Sequence, residues 1–329
     1  MEESIISKYI NTPVLFLVFN RIDTTKQVFN VIKKAKPPRL YIGSDGQREQ
    51  KLGEAEKVKA VREYVLSSID WDCEVKTLFR EKNLGCKYAV SSAITWFFEH
   101  EDMGIILEDD CLPSLSFFKF CEELLIRYKD DKSIWHIGGS NFQDGIKRGD
   151  ADYYFSAINH IWGWASWADR WKFYDKELNN IQDSYFINNY WSGKAFKYWE
   201  KIFWKMKNKE IDTWDYQWTF SMWKNNSIAI LPNVNMISNI GFGKNATHTK
   251  NDNSKEASLI INEMDVINMK HTLKTERNKE ADEYTYEEYY SCSMKPFIQR
   301  AINKLFRMIK SCFVKFAEKR LKNNLKQKF

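Results

Sequence analysis

Three consecutive carboxylates, Glu108-Asp109-Asp110, close a short apolar run, Met103-Gly104-Ile105-Ile106-Leu107. Ile105-Ile106-Leu107 reads as a buried strand, and acids clustered at the end of a buried strand are costly unless something neutralises them. Hard oxygen ligands suit Mg2+ or Mn2+, so a divalent cation is the expected partner. Cys111-Leu112-Pro113-Ser114 then turns the chain into a helix rich in phenylalanine (Phe117, Phe118, Phe120). Strand, acids, turn and helix in that order set the carboxylates at the carboxyl edge of an α/β sheet, where ligands bind. A surface acidic turn is the plainer alternative.

The residues before the acids repeat the same grammar. Pro13-Val14-Leu15-Phe16-Leu17-Val18-Phe19 is a continuous apolar run bounded by Asn20-Arg21, the pattern of a central parallel strand. Asp23-Thr24-Thr25 is an N-cap region for a helix through Lys34, which Pro37-Pro38 stops. Arg39-Leu40-Tyr41-Ile42-Gly43 predicts a second strand, and residues 54–66 a helix. Cys73-Glu74-Val75-Lys76-Thr77-Leu78 predicts a third strand, and Asn83-Leu84-Gly85 opens a helix through Phe98. Strands alternating with helices over 130 residues argue for a parallel, doubly wound sheet. Ser133–Gly139 is a further strand. From Asp150 the chain becomes aromatic and irregular, with helices expected near 191–208 and 214–224.

With 329 residues the chain can hold one large α/β domain or two smaller ones. Six cysteines without a CxxC pair exclude a zinc finger and a disulfide framework, and point to a reducing compartment. The start, Met1-Glu2-Glu3-Ser4-Ile5-Ile6-Ser7, has neither a basic region nor a long apolar core, so no signal peptide is expected. No apolar stretch reaches the roughly 18–20 residues of a membrane helix. The formal charge of +6 is uneven: from Lys295 onward eleven Lys or Arg face Glu318 alone, so the tail carries +10 and the rest −4. In that tail Ile298, Ile302, Leu305, Ile309, Phe313 and Phe316 recur every three or four residues, the pattern of a helix in a membrane interface. Docking on the acidic body is the alternative, and no aromatic-basic module accompanies the tail to suggest nucleic acid.

The ordered set Val14-Leu15-Phe16…Asn20-Arg21, Ser44-Asp45-Gly46, Asn83-Leu84-Gly85-Cys86-Lys87, Glu108-Asp109-Asp110, Trp162-Gly163-Trp164 and Gly241-Phe242-Gly243…Thr247-His248 resembles GT-A glycosyltransferases. More narrowly it is similar to the N-acetylglucosaminyltransferase I group and its bacterial relatives, the nucleotide-diphospho-sugar transferases. The resemblance implies that Asp110 binds Mn2+ (or Mg2+) bridging the two phosphates of a sugar nucleotide, with Glu108 and Asp109 facing ribose and sugar. It places Arg21 and Asp45 where the family reads base and ribose, although Ser-Asp-Gly is also an ordinary turn. Asn83, Gly85 and Lys87 occupy a junction that meets the nucleotide, and Lys87 equally suits a solvated helix position. Asp215, with Asp212 second, is the candidate base taking the proton from an acceptor hydroxyl, a single displacement that inverts stereochemistry. Asp212 also suits an N-cap. Trp162, Trp164 and Trp167 are candidates for an acceptor platform, and core packing serves each of them as well. Lys244 and His248 sit in a glycine-bearing loop expected to close over the donor, with His248 a second candidate metal ligand.

The expected protein is a metal-dependent inverting glycosyltransferase of α/β GT-A fold, with a mostly parallel sheet flanked by helices. Residues 1–150 form the nucleotide-sugar half, 151–270 the aromatic acceptor half, 271–294 an acidic linker and 295–329 a basic amphipathic helix. Its partners are a nucleoside-diphosphate sugar (a UDP-sugar favoured), a glycan or glycolipid acceptor of cell-surface polysaccharide synthesis and, through 295–329, an anionic membrane. Nucleic acid is not expected, and the location is cytoplasmic, on the inner membrane face. The rivals are a carbohydrate-binding scaffold of the same fold and a sugar nucleotidylyltransferase. The latter wants a glycine-rich basic loop that residues 13–25 lack.

Overall fold

The computed structural model describes residues 9–242 and 255–291. Lys244, His248 and the 295–329 tail lie outside the described residues. The chain divides into two compact units, residues 1–282 and 283–329. Of the second, only 283–291 are described: the end of a helix and a π-helical turn over Tyr286–Tyr290.

The first unit opens as an alternation of strand and helix: β1 (Val14–Val18), α1 (Ile22–Ala35), β2 (Arg39–Ser44), α2 (Glu54–Ser67), β3 (Glu74–Phe79), α3 (Gly85–Phe98) and β4 (Met103–Glu108). Then follow β5 (Cys111–Pro113), α4 (Leu115–Arg127), β6 (Ile134–Gly138), β7 (Tyr153–Ser156), β8 (Trp164–Trp167) and the short α5 (Ala168–Trp171). A 3-10 segment at Ile181–Asn189, α6 (Gly193–Lys207), α7 (Asp215–Lys224), β9 (Ile228–Pro232) and β10 (Ile237–Asn239) follow, and α8 (Lys279–Thr285) begins in this unit and ends beyond residue 282.

Eight strands form one sheet in the order β3-β2-β1-β4-β8-β6-β9-β7. β3, β2, β1 and β4 pair in parallel, as do β6 and β9, while β8 and β7 run against their neighbours. The α/β class and mostly parallel sheet are therefore as expected. Strand β1 is buried along its whole length, which is why its sequence shows no polar alternation. The edge strand β3 is half-exposed and carries Glu74, Lys76 and Thr77, residues that discourage further strand pairing.

The order of connections locates the ligand crevice. The chain builds β1, β2 and β3 outward on one side, then returns to place β4 on the other side of β1. The carboxyl ends of β1 and β4 thus flank the point where strand order reverses, the usual ligand crevice of an open α/β sheet.

Three local features differ from expectation. Helix α1 begins at Ile22, and the Thr24 and Thr25 hydroxyls bond back to the Arg21 carbonyl instead of capping free N–H groups. The stretch after residue 150 contains β7, β8, β9 and β10, which its aromatic composition concealed. Within the stretch read as an acidic linker, Asp282 is buried and accepts hydrogen bonds from Ser156 Oγ and the Ala157 N–H while pairing with Arg277.

Candidate active site

The crevice between β1 and β4 holds the acidic triplet. The Phe19 N–H, just past β1, donates to Asp109 Oδ2 at 3.0 Å. Arg21 Nη1 reaches Asp110 Oδ2 at 3.2 Å and the Gly241 carbonyl at 3.4 Å. The antiparallel pair of β5 with β10 carries residues 240–242 to the same place. There the Ile240 N–H donates to the Asp110 carbonyl, and the Asn239 side chain holds the Gly241 N–H. A Cβ on Gly241 would stand 2.1 Å from Asp110 Oδ2 and 2.7 Å from Arg21 Nη1, so this position admits only glycine without a shift of the ion pair. Gly241 therefore serves close approach rather than the hinge freedom its sequence suggests.

The three acids are recessed yet partly reachable; the Asp110 side chain keeps 19% of its exposure. Their electrostatics are unbalanced. Loss of water contact, then the negative charges of Asp110, Asp109 and Asp215, push Glu108 up to about 8, opposed by a hydrogen bond from the Trp214 indole. Loss of water contact and Asp110 push Asp109 up to about 7, against the Phe19 N–H, Arg21 and Thr25. Desolvation also raises Asp110, with Arg21 opposing it. With one guanidinium offsetting Asp109 and Asp110, ionisation of the whole cluster would need the positive charge of a bound cation.

Asp45 is tied into the fold. Its carboxylate accepts from the N–H groups of Gly46, Leu84 and Gly85 at 3.0–3.2 Å and from Asn83 Nδ2 at 2.9 Å. It thereby caps the exposed amides where α3 starts, at Gly85 with φ +78°. Asp45 and Asn83 meet each other, and their polar atoms face each other and the loop. Lys87 is buried, with Nζ 3.7 Å from Glu177 Oε1 and 5.3 Å from the centre of the Tyr88 ring, so it is not the solvated residue that was the alternative.

The second half of the site comes from α7. Asp215 opens this helix, and its Oδ1 accepts from Thr213 Oγ1 at 2.5 Å. Asp212, three residues earlier, is exposed, with Oδ2 only 3.4 Å from where a Gly85 Cβ would be. Glu108, Asp215, Asp212 and Asp110 all act on the Cys86 thiol, which burial first and then these charges push far up. The two candidate bases and two of the triplet acids therefore converge on one locus.

The expected platform of three tryptophans requires correction. Trp164 and Trp167 are 1% and 2% exposed. Trp164 stacks on His136 and Trp214, and Trp167 bonds the Leu125 carbonyl under the Arg170 guanidinium. Both lie in β8 within the sheet and offer no face to a sugar. Trp162, before that strand, is half-buried and meets the Phe242 ring edge-on at 5.8 Å, beside Gly241. The sequence reading overlooked Trp214, whose indole contacts Glu108; its adjacency to Asp215 was the one available signal.

Among the described residues no group of three or more His, Cys, Asp or Glu side chains is placed to hold a metal by itself. The donor set nevertheless fits Mn2+ or Mg2+. Mg2+ is commonly held by one or two carboxylates plus substrate phosphates rather than by an all-protein cage. Asp110 supplies such a carboxylate at a rim short of positive charge.

No protein-family model matches the chain, and no curated protein matches it. Among solved structures it is similar to a mannosyltransferase from Pyrobaculum calidifontis in complex with GDP-Man and Mn2+, at 12% identity and TM-score 0.33, over 50% of this chain and 46% of that one. It is also similar to GalNAc-T7 with UDP, GalNAc and Mn2+, at 13% identity and TM-score 0.41, over 69% and 43%. A third likeness is to UTP-bound UGPase from Acinetobacter baumannii, at 8% identity and TM-score 0.34, over 68% and 86%. The alignments span less than half the length of the first two proteins. Likeness at this level decides nothing about the activity of the chain. Among the described residues no helix is long and apolar enough to cross a membrane.

Proposed function

We propose that this chain is a metal-dependent, inverting glycosyltransferase of GT-A type, using a nucleoside-diphosphate sugar as donor and a glycan or glycolipid as acceptor. The observation that carries the reading is the placement of Glu108-Asp109-Asp110 at the β1–β4 reversal point. Arg21 and Gly241 close on Asp110 from one side, and Asp215 acts on Glu108 from the other. A donor diphosphate fits the crevice with its anionic end at Arg21 and Asp110. A divalent cation held there by Asp110 and shared with the diphosphate would offset charge on the departing group.

The protein's own residues divide the remaining work. Arg21 supplies a second positive charge beside the phosphates. Glu108, which the Trp214 indole contacts, and Asp109 face the ribose and the sugar and offer hydrogen-bonding oxygens there. Asp215 takes the proton of the attacking acceptor hydroxyl; its position at the first turn of α7, with Thr213 fixing one oxygen, orients the other. Asp45 and Asn83 act by shaping the start of α3. Lys244 and His248 belong to the same proposal as donor-side groups. The basic tail 295–329 belongs to it as a membrane contact that would bring the enzyme to a lipid-linked acceptor.

The test is a panel of UDP- and GDP-sugars screened with and without Mn2+ for thermal stabilisation and for slow donor hydrolysis. A Mn2+-dependent rise in melting temperature with at least one donor is expected, because ligands that bind only the folded state stabilise it. Donor binding without hydrolysis or transfer would favour the scaffold reading. No binding of any sugar nucleotide would end the proposal.

A further inference from the structure

Two buried polar atoms on consecutive residues have no hydrogen-bond partner among the described residues: Asn159 Nδ2 and His160 Nε2. Their residues are 6% and 4% exposed. Buried polar groups are nearly always paired, so a neighbouring pair of unpaired ones calls for a cause. Looseness is not that cause. The backbone around them is pinned: Asp282 holds Ser156 and the Ala157 N–H, Trp223 donates to the Ala157 carbonyl at 2.8 Å, and His136 Nε2 lies 3.0 Å from the His160 carbonyl. Thr219 Oγ1 donates to Asn159 Oδ1 at 2.7 Å, which directs the amide nitrogen away from that contact.

The surroundings of the two residues join both halves of the site. Thr219 stands four residues after Asp215 on α7, so the two share one helix face. On the other side the His160 ring lies 4.0 Å from that of Phe142 between centres. Phe142 is 5.5 Å from Trp162, and Trp162 is 5.8 Å from Phe242, the neighbour of Gly241 at the Arg21–Asp110 pair. A row of rings thus runs from the acidic rim to His160, and the adjacent residue, Asn159, leads through Thr219 to the helix of the candidate base.

We propose that Asn159 and His160 are the hydroxyl-reading floor of a subsite for one hexopyranose ring of the acceptor, walled by Phe142 and Trp162. This rests on the transferase reading. Burial holds His160 neutral, so the unpaired Nε2 donates or accepts according to the tautomer, and Asn159 adds a donor. Adjacent sugar hydroxyls match such a set, and the ring C–H surface matches the aromatic wall. Phe142 covers the histidine and is followed by a turn through Asp144 and Gly145, both at positive φ, so a sugar reaches the floor only where Phe142 gives way to it.

The probes are methyl glycosides of glucose, galactose and N-acetylglucosamine, titrated into the full chain by calorimetry, with UDP and GDP plus Mn2+ titrated separately. The wild type should bind at least one glycoside, and His160→Phe and Asn159→Leu should bind it about tenfold or more weakly, as expected when a hydrogen-bonding partner is lost. Nucleotide binding should be the same in all three proteins. His160→Phe keeps the ring wall, so it carries the test if Asn159→Leu does not fold. Failure of every glycoside to bind the wild type overturns the subsite. Equal glycoside binding by His160→Phe also overturns it and leaves the two atoms to buried water. Loss of nucleotide binding in the wild type would instead strike the transferase reading itself.

Discussion

The two halves of the site bury polarity in opposite ways. At the β1–β4 rim Arg21 offsets Asp109 and Asp110, the Trp214 indole meets Glu108, and Glu108 and Asp109 hold protons far above the usual carboxylate range. In the aromatic half the interior is built of large neutral side chains, Trp164, Trp214, Trp218 and Trp223 among them, and its histidines are kept uncharged. The rim is therefore the side suited to a charged ligand, whereas the aromatic half is an apolar frame with few polar groups, which on the proposed reading would select by hydrogen bonding. The proposed function assigns donor and acceptor to these two sides, and substitutions on each side should then have separable effects.

The largest effect is expected at Asp110. Asp110→Ala should reduce sugar transfer by about 10^3-fold and abolish Mn2+-dependent donor binding, because it removes the rim carboxylate on which the cation depends. Its melting temperature should stay near that of the wild type, since a desolvated carboxylate is itself costly. Full activity in this variant would collapse the distinction between the halves. Next comes Asp215→Asn, which should lower transfer by about 10^2–10^4-fold while leaving UDP–Mn2+ binding unchanged. Asp212→Asn should do much less. Should Asp215→Asn weaken nucleotide binding as strongly as transfer, the acid belongs to the rim and not to the acceptor half.

Gly241→Ala probes the rim by shape instead of charge. Its methyl group would meet Asp110 and Arg21 at impossible distances, so the pair must move. Donor binding should weaken about tenfold, with a stability loss of about 1–3 kcal/mol. Gly149→Ala is the control: its φ of +68° is strained for alanine, yet nothing lies within 4 Å. It should cost about 1 kcal/mol of stability and leave donor binding intact. Calorimetric titration of UDP–Mn2+ into both proteins separates the two outcomes.

The rim was legible in the sequence because fully buried parallel strands read as continuous apolar runs, and residues just beyond them fall at the sheet edge. Val14–Val18 and Ile105–Leu107 located the crevice, and Arg21 and Asp110 came with them. Contacts spanning long stretches of chain were not legible. Arg21 meets the Gly241 carbonyl 220 residues away, and the pairing of β10 with β5 that brings them together has no local signature. The contacts of Asp45 were illegible for a related reason: its partners are backbone N–H groups of residues 84 and 85, which exist as donors only once α3 has its start. Trp164 and Trp167 misled because a four-residue strand of aromatic side chains inside a sheet has the same composition as an exposed platform.

The smallest expected effect, and the one that tests the contrast most directly, is on stability against pH in metal-free buffer. Glu108 and Asp109 hold protons in the folded protein up to about 8 and about 7, against ordinary values of 4.5 and 3.8. Their contribution is therefore full below the ordinary values and is lost as pH rises through 7–8. His136 and His160 are depressed to about 3 from 6.5 by burial, so their contribution is full above 6.5 and is lost as pH falls toward 3. The two halves should thus slope in opposite senses. Between pH 6.5 and 8 the rim acts without the histidines, and stability should fall with rising pH. Glu108→Gln should flatten that limb; between about 4.5 and 6.5 the two senses offset each other, so His160→Phe should flatten the rise of stability with pH only below about 4. Each change is at most about 1.4 kcal/mol per pH unit, the value for a single proton. Urea denaturation at a series of pH values measures both slopes. A Glu108→Gln protein that keeps the wild-type slope above 6.5 would mean that Glu108 is ionised at the rim, with Arg21 balancing more of its charge than the geometry allots to it.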